Sequence, residues 1–224
     1  MLFICLHILI SETICESNFD FDLFRRIYFF YFKKAPEFLY GDDWLTWFIG
    51  FSEGDGAILT DKNKLIFVLT QKDPKVLYEI KNNLGFGTVK NFETFSRYIV
   101  TNNYHCFLLY LIFNNNLVIK SKINQLFNWY IVLLLLKKIN WEKDFNINTI
   151  PDIYRKAKKP SLLTSWISGF TDAEGCFSAY IYPSKNKLQY CRCRFLLDQK
   201  NEQELLLKIR DLFCETLWVS RFKK

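Results

Sequence analysis

Four acidic side chains stand at matching places in two similar stretches of the chain. Glu53 and Asp55 close the stretch WLTWFIGFSEGDGAI at 44–58, and Asp172 and Glu174 close LLTSWISGFTDAEGCFS at 162–178. Carboxylates that come together can hold a hard divalent cation such as Mg²⁺, which prefers oxygen ligands and can activate water. The residue types therefore predict a cation site built from both stretches.

The two stretches form an internal repeat, since superposing Gly50 on Gly169 also aligns Trp47 with Trp166. Each copy reads as a helix that is apolar nearly all round, and such a helix is buried. A glycine inside a helix costs about 1 kcal/mol relative to alanine. Small residues four apart lie on one helix face, so the compensation we expect is close contact between the two helix backbones. The predicted interface residues are Gly50, Gly54, Gly169 and Ala173.

The position of the acids at the ends of these helices is electrostatically unfavourable. A carboxylate there faces the negative end of the helix dipole. If the helices pack at their small residues, Asp55 and Glu174 meet and repel each other unless a cation lies between them. The alternative is a pair of ordinary buried helices whose last acids begin a solvated turn, and two matched copies count against it.

The segments FIGFSEGDG and ISGFTDAEG resemble the motif of the LAGLIDADG homing endonucleases, in the two-motif, single-chain form encoded by organellar introns. The resemblance implies an α+β fold of two pseudo-symmetric αββαββα halves, whose antiparallel sheets form a DNA-binding saddle. It implies site-specific cleavage of double-stranded DNA in a mitochondrion, by a monomeric pseudo-dimer. It also implies that Asp55 and Glu174 bind Mg²⁺ or Mn²⁺.

Hydrophobic periodicity along the chain agrees with the order helix, strand, strand, helix, strand, strand, helix for the first half. We expect a hairpin with its turn at Asp61 to Asn63, a helix that Gly85 ends, and a helical segment over 114–141. The predicted domains are a variable leader at 1–41, a first half at 42–141, a basic linker at 142–160 and a second half at 161–224.

Several further site residues follow from the resemblance. Gln71 and Gln199 end matching strands and are expected to order metal-bound water, and Lys120, with Lys122 close behind, is expected near the scissile phosphate. Long basic side chains on the strands can reach phosphates and base edges, although a plain solvated sheet face is the alternative. The predicted DNA-binding residues are Lys62, Lys64, Lys72, Lys90, Arg97, Lys185, Lys187, Arg192 and Arg194.

The composition of the chain indicates which kinds of partner and site it can have. The net charge of +7 over 224 residues comes entirely from residues 155–224, which favours a polyanionic partner. Seven cysteines without paired CxxC spacing indicate reduced thiols, and two isolated histidines give little support to a zinc site. The apolar runs are too short for a bilayer span, so we expect no stable membrane partner.

The sequence of the second half predicts fewer strands and helices than that of the first half. We expect the second half to be truncated or incomplete, or its missing elements to be supplied by a partner chain. This leaves two alternatives to an endonuclease. One is a maturase, which binds its host intron RNA and does not need the acids as catalysts. The other is an inactive remnant.

Overall fold

A computed structural model describes residues 19–33, 41–136, 139–182 and 190–213 of the chain. The first part contains helices α1 (Asp22–Phe32), α2 (Asp42–Asp55), α3 (Lys75–Leu84), α4 (Asn103–Phe113), α5 (Lys120–Leu135) and α6 (Trp141–Phe145), and strands β1 (Gly56–Asp61), β2 (Lys64–Gln71), β3 (Thr88–Asn91) and β4 (Ser96–Val100). The second part contains α7 (Trp166–Glu174), β5 (Gly175–Tyr182), β6 (Tyr190–Leu197) and α8 (Gln203–Leu212). The predicted element order from α2 to α4 is confirmed.

The first sheet is antiparallel throughout, with strand order β1-β2-β4-β3. Its inner face forms because apolar residues alternate along β2, where Leu65, Phe67 and Leu69 are fully buried under the helices. The β1–β2 hairpin turns at Lys62 and Asn63, whose φ angles of 49° and 53° match the two-residue turn that suits strand twist. The predicted hairpin is therefore confirmed.

Helix α3 follows the predicted pattern closely. Leu77, Ile80 and Leu84 make its buried stripe, and Gly85 ends it with a φ of 74°, a left-handed conformation that glycine adopts without steric cost. The Gly85 amide donates to the Lys81 carbonyl oxygen, which would otherwise lack a partner at the helix end.

The predicted helical segment over 114–141 is confirmed for α5 but is wrong at its start, where the structure has a break in the helix. Helix α4 ends at Phe113, α5 begins only at Lys120, and α6 is a separate short helix. Asn116 is fully buried, and its side-chain amide donates to the backbone of Ile112 and of Asp20. Asparagine side chains that bind the backbone in this way compete with helix formation.

The described part of the predicted leader belongs to the core rather than preceding it. In α1, Phe24, Ile27 and Tyr28 are buried, and the Tyr28 hydroxyl donates to the Leu84 carbonyl oxygen at 2.9 Å. These positions have helical spacing, so α1 buries one apolar stripe against the first half. The boundary at residue 41 therefore does not separate a leader from a core.

The predicted linker at 142–160 also packs against the first half and forms hydrogen bonds with it. Its Phe145 and Ile150 are buried, and the Tyr110 hydroxyl donates to the Pro151 carbonyl oxygen at 2.7 Å. Asp152 accepts from Asn114 through its backbone and from Tyr130 through its side chain.

The second sheet, β5-β6, is a two-stranded antiparallel hairpin in the part of the chain that the structure describes. Helix α8 buries Leu205 and Ile209, but Phe177 and Ile181 on the inner face of β5 remain 74% and 67% exposed. No helix among the described residues has the length and apolar character needed to cross a bilayer.

Candidate metal-binding active site

Helices α2 and α7 pack with their backbones in contact. A Cβ atom added at Gly50 would overlap the carbonyl oxygen of Trp166 and lie 2.8 Å from the amide nitrogen of Phe170. One added at Gly169 would overlap the carbonyl oxygen of Trp47. Only glycine permits so close an approach at these two positions. The four residues that we predicted for the interface all lie in it: Gly50, Gly54, Gly169 and Ala173.

This packing brings together the last acids of the two helices. Asp55 ends α2 and accepts a short hydrogen bond from the Gln71 side-chain amide. Burial, and then the negative charge of Glu174, raises the pKa of Asp55 to about 6, against the lowering effect of Gln71. Each acid is followed directly by the glycine that begins the next strand, so both carboxyls lie where the hairpins leave the helices.

Glu174 ends α7 in the same way. Burial is the main cause that raises its pKa, the positive charge of Lys122 lowers it, and the charge of Asp198 raises it again. Gln199 lies beside Glu174 and lowers its pKa, as Gln71 does for Asp55. The predicted pair of glutamines therefore lies beside the predicted pair of acids.

The lysine at this site is Lys122, and our choice of Lys120 is corrected. Lys120 is exposed and forms an ion pair with Glu204 on α8 at 3.1 Å. Lys122 is partly buried and donates a short hydrogen bond to the carbonyl oxygen of Gly56, directly after Asp55. Burial lowers the pKa of Lys122, while the charges of Glu53, Glu174 and Asp55 raise it. One positive charge thus lies among three carboxyls.

Glu53 is a functional residue that the sequence reasoning did not assign. It is 1% exposed and accepts hydrogen bonds from the amides of Val118 at 2.9 Å and Ile119 at 2.7 Å. Burial raises the pKa of Glu53 to about 7, although these donors lower it. Because Ile119 is the residue before α5, Glu53 fixes where that helix begins and so places Lys122. An acid inside an otherwise apolar helix was the available signal, since a buried carboxyl needs donors.

Two tryptophan–carboxylate hydrogen bonds cross the helix pair symmetrically. The Trp166 indole donates to Glu53 at 2.6 Å, and the Trp47 indole donates to Asp172 at 2.8 Å. Each indole thus binds the first acid of the other repeat. The symmetry is incomplete, because Asp172 is exposed whereas Glu53 is buried.

The donor set fits a hard divalent cation. The groups at the site are carboxylate and amide oxygens, and Mg²⁺ is commonly held by one or two carboxylates, with water and substrate phosphates completing its coordination. Across residues 19–33, 41–136, 139–182 and 190–213, no group of three His, Cys, Asp or Glu side chains is arranged to hold a metal.

The predicted DNA-binding residues are mostly exposed on the hairpins. Lys90 and Arg97 are cross-strand partners, and both are exposed on the outer face of the first sheet. The other predicted DNA-binding residues that are exposed are Lys62, Lys64 and Lys72 around β2 and Arg192 and Arg194 on β6. Lys185 and Lys187 lie outside the described residues.

Comparison with protein families and known sequences gave consistent matches. The family described as LAGLIDADG endonuclease matches residues 48–133 and 167–223. "Probable intron-encoded endonuclease 4" of Neurospora crassa is 34% identical over 180 residues, which cover 77% of this chain and 31% of that protein. "Uncharacterized cox1 intron-2 37.2 kDa protein" of Schizosaccharomyces pombe is 26% identical, covering 72% of this chain and 47% of that protein. The chain thus spans 31% to 47% of the length of these relatives.

Solved structures share the fold at low sequence identity. The meganuclease I-SmaMI bound to uncleavable DNA matches with a TM-score of 0.57 and 16% identity, covering 75% of this chain and 70% of that one. The LAGLIDADG meganuclease I-CpaMI bound to uncleaved DNA matches with a TM-score of 0.52 and 18% identity, covering 80% and 76%. The α+β fold with two related halves is therefore confirmed.

Proposed function

The chain belongs to the LAGLIDADG endonuclease family, and from that premise we propose that it hydrolyses phosphodiester bonds of double-stranded DNA at a specific site with a divalent metal. The observation that carries the proposal is the meeting of Asp55 and Glu174 at the ends of two packed helices, between two hairpins. Two carboxylates that repel each other destabilise the fold unless a cation binds between them. Their placement beside two glutamines therefore suits metal binding rather than stability.

We assign each side chain at the site a role in this reaction. Asp55 and Glu174 would hold Mg²⁺, or Mn²⁺ in its place, and such an ion supplies a polarised water and neutralises the leaving oxygen. Gln71 orients the Asp55 carboxyl through its hydrogen bond, and Gln199 would do the same for Glu174, beside which it lies. Lys122 brings a partly buried positive charge to where phosphate charge would build up in the transition state.

The hairpins supply the proposed DNA contact. Two-stranded antiparallel ribbons fit the major groove of B-form DNA. Exposed basic side chains such as Lys90, Arg97 and Arg194 lie on these ribbons, where they can neutralise phosphates. We propose a monomer that acts as a pseudo-dimer, with one motif serving each strand. Relatives named for cox1 introns support a mitochondrial location for this chain.

The test compares acid variants of the purified full chain on DNA that joins the exons flanking its reading frame. Asp55→Asn and Glu174→Gln should each lower cleavage at least about a hundredfold, as expected for loss of a main electrostatic contact in the transition state. Both should retain binding in a gel-shift assay within about threefold, since neither side chain is needed for phosphate contact.

Asp172→Asn is the matched control, because Asp172 is an exposed acid two residues before Glu174. It should cleave like the parent protein. Cleavage that survives in Asp55→Asn, or binding that is lost in both acid variants while their fold is intact, would show that the acids are structural.

A further inference from the structure

The two hairpins present matched positions on their outer faces. Gly56 pairs with Leu69 in the first hairpin, and Gly175 pairs with Leu197 in the second, so the repeat extends through the strand register. Successive residues of a strand point to opposite faces, and the buried Phe67 marks the inner face of the first hairpin. The outer-face pairs of the two hairpins can therefore be compared position by position.

The outer face of the first hairpin is aliphatic at its centre. The cross-strand pairs are Ala57 with Val68 and Leu59 with Ile66, and Ile99 of β4 lies beside Val68. Leu59 is 45% exposed, so this aliphatic area is accessible to a partner. Basic residues border this aliphatic area on two sides, with Lys64 at the hairpin turn and with Lys90 on β3 and Arg97 on β4.

The matched positions of the second hairpin carry the opposite chemistry. The Ser178–Arg194 pair of the second hairpin corresponds to the Leu59–Ile66 pair of the first. The Tyr180–Arg192 pair is the next outer-face pair along the second hairpin. The Arg194 guanidinium lies 5.4 Å from the centre of the Tyr180 ring, a cation–π contact that limits its rotamers. Both arginines are exposed.

Base pairs differ in what they offer to these side chains in the major groove. The thymine methyl is the apolar group there, and aliphatic side chains recognise it by contact. Guanine offers two acceptors, O6 and N7, which an arginine guanidinium binds with two hydrogen bonds. An aliphatic pair flanked by basic residues suits a polyanion with methyl groups at its edge, whereas a protein partner would not require the basic border.

We infer that the two hairpins read chemically different half-sites: the first prefers thymine opposite Leu59 and Ile66, and the second prefers guanine at the matched step opposite Arg194. This inference rests on the proposed function and deepens it, because it states which bases the saddle selects. The target would therefore be asymmetric in composition although the protein is pseudo-symmetric.

The test begins with selection of bound duplexes from a randomised library by the full-length protein, followed by sequencing. The enriched sequence should contain thymine in one half and guanine at the equivalent distance from the centre in the other. Replacing each enriched thymine by deoxyuridine removes only the methyl group, and should weaken binding about fourfold per buried methyl. Replacing the guanine should weaken binding about fivefold or more, as for loss of an arginine pair.

A transplant between the hairpins separates chemistry from fold. The double change Leu59→Ser with Ile66→Arg should move the preference in the first half-site from thymine to guanine, and the reciprocal Ser178→Leu with Arg194→Ile should do the reverse. Leu59→Ile keeps the aliphatic surface and should keep the thymine preference. Circular dichroism of every variant establishes that it is folded.

The outcomes decide between the inference and the function on which it rests. If the folded protein enriches no sequence at all, sequence-specific DNA binding is refuted, and the inference with it. If a sequence is enriched but deoxyuridine has no effect, or if the transplants leave the base preferences unchanged, the inference is refuted while the proposed function stands.

Discussion

Replacing Gly50 or Gly169 by alanine should lower the free energy of unfolding by up to about 2 kcal/mol, because either change inserts a methyl group between touching helix backbones. An alanine Cβ at Gly50 would overlap the Trp166 carbonyl oxygen, and one at Gly169 would lie 2.7 Å from the carbonyl carbon of Trp47. Real Cβ atoms essentially never come within 3.0 Å of backbone, so α2 and α7 must move apart.

The magnitude is the difference of two effects. Overpacking a close contact costs about 1–3 kcal/mol and occasionally more. Alanine regains about 1 kcal/mol of helix propensity over glycine. We expect the packing cost to exceed this gain, since the atoms that clash are backbone atoms, which cannot rotate away. Gly54→Ala should also be destabilising, because a Cβ there would overlap the Cβ of Ala173, which is fixed to the backbone and cannot rotate away.

Urea unfolding at equilibrium, followed by circular dichroism, measures these differences. Gly41→Ala is the matched control, since nothing lies within 4 Å of a Cβ at that position. Separation of the helices should also move Asp55 away from Glu174 and weaken divalent-metal binding. Wild-type stability and metal affinity in both Gly50→Ala and Gly169→Ala would refute the claim that backbone contact positions the acids.

Three further predictions concern the charged groups of the site. Glu53→Ala should lower the free energy of unfolding by at least about 2 kcal/mol, because buried N–H donors lose their acceptor. Asp172→Ala removes one hydrogen bond from the Trp47 indole at an exposed site and should cost about 1 kcal/mol or less; equal losses in urea titrations would refute this. Lys122→Met should lower the rate of cleavage at least about tenfold. Lys120→Met should leave that rate within about twofold, because the surface ion pair of Lys120 contributes little. A larger loss in Lys120→Met than in Lys122→Met would support our original choice of Lys120. The pKa of Asp55 lies at about 6, so calorimetric Mn²⁺ affinity should fall about tenfold for each pH unit below that value, and an affinity that stays constant from pH 7 to pH 5 would contradict it. Because this pKa is raised on folding, the stabilising effect of the carboxyl is complete at pH values below 3.8 and is lost as the pH rises through about 6.

The strands and helices around the site were predictable because each has a clean local period. Alternate apolar residues define β2, and the spacing of Leu77, Ile80 and Leu84 defines α3, so neither needs information from distant parts of the chain. The helix interface was predictable for another reason. Glycines at matching places in two apolar helices have little use other than close approach, and the repeat made that coincidence visible.

The start of α5 could not be predicted, because tertiary hydrogen bonds decide it. The amides of Val118 and Ile119 are taken by Glu53, which lies 65 and 66 residues earlier in the sequence. The choice between Lys120 and Lys122 failed for the same reason. Residues two apart on a helix point to nearly opposite sides, so only the docking of α5 determines which lysine faces the acids.

Glu53 therefore links the packing of the chain to its chemistry. Its carboxyl accepts from an indole of α7 and from the backbone amides that begin α5, and α5 carries Lys122 to the acid pair. Burying this acid costs desolvation, as its pKa of about 7 indicates, and its three N–H donors offset part of that cost. The exposed Asp172 accepts only the indole among the hydrogen bonds described for it. Both motifs thus keep a hydrogen bond from a tryptophan indole to the first acid of the other motif. Only Glu53, the first acid of the first motif, also positions a lysine beside the proposed metal site.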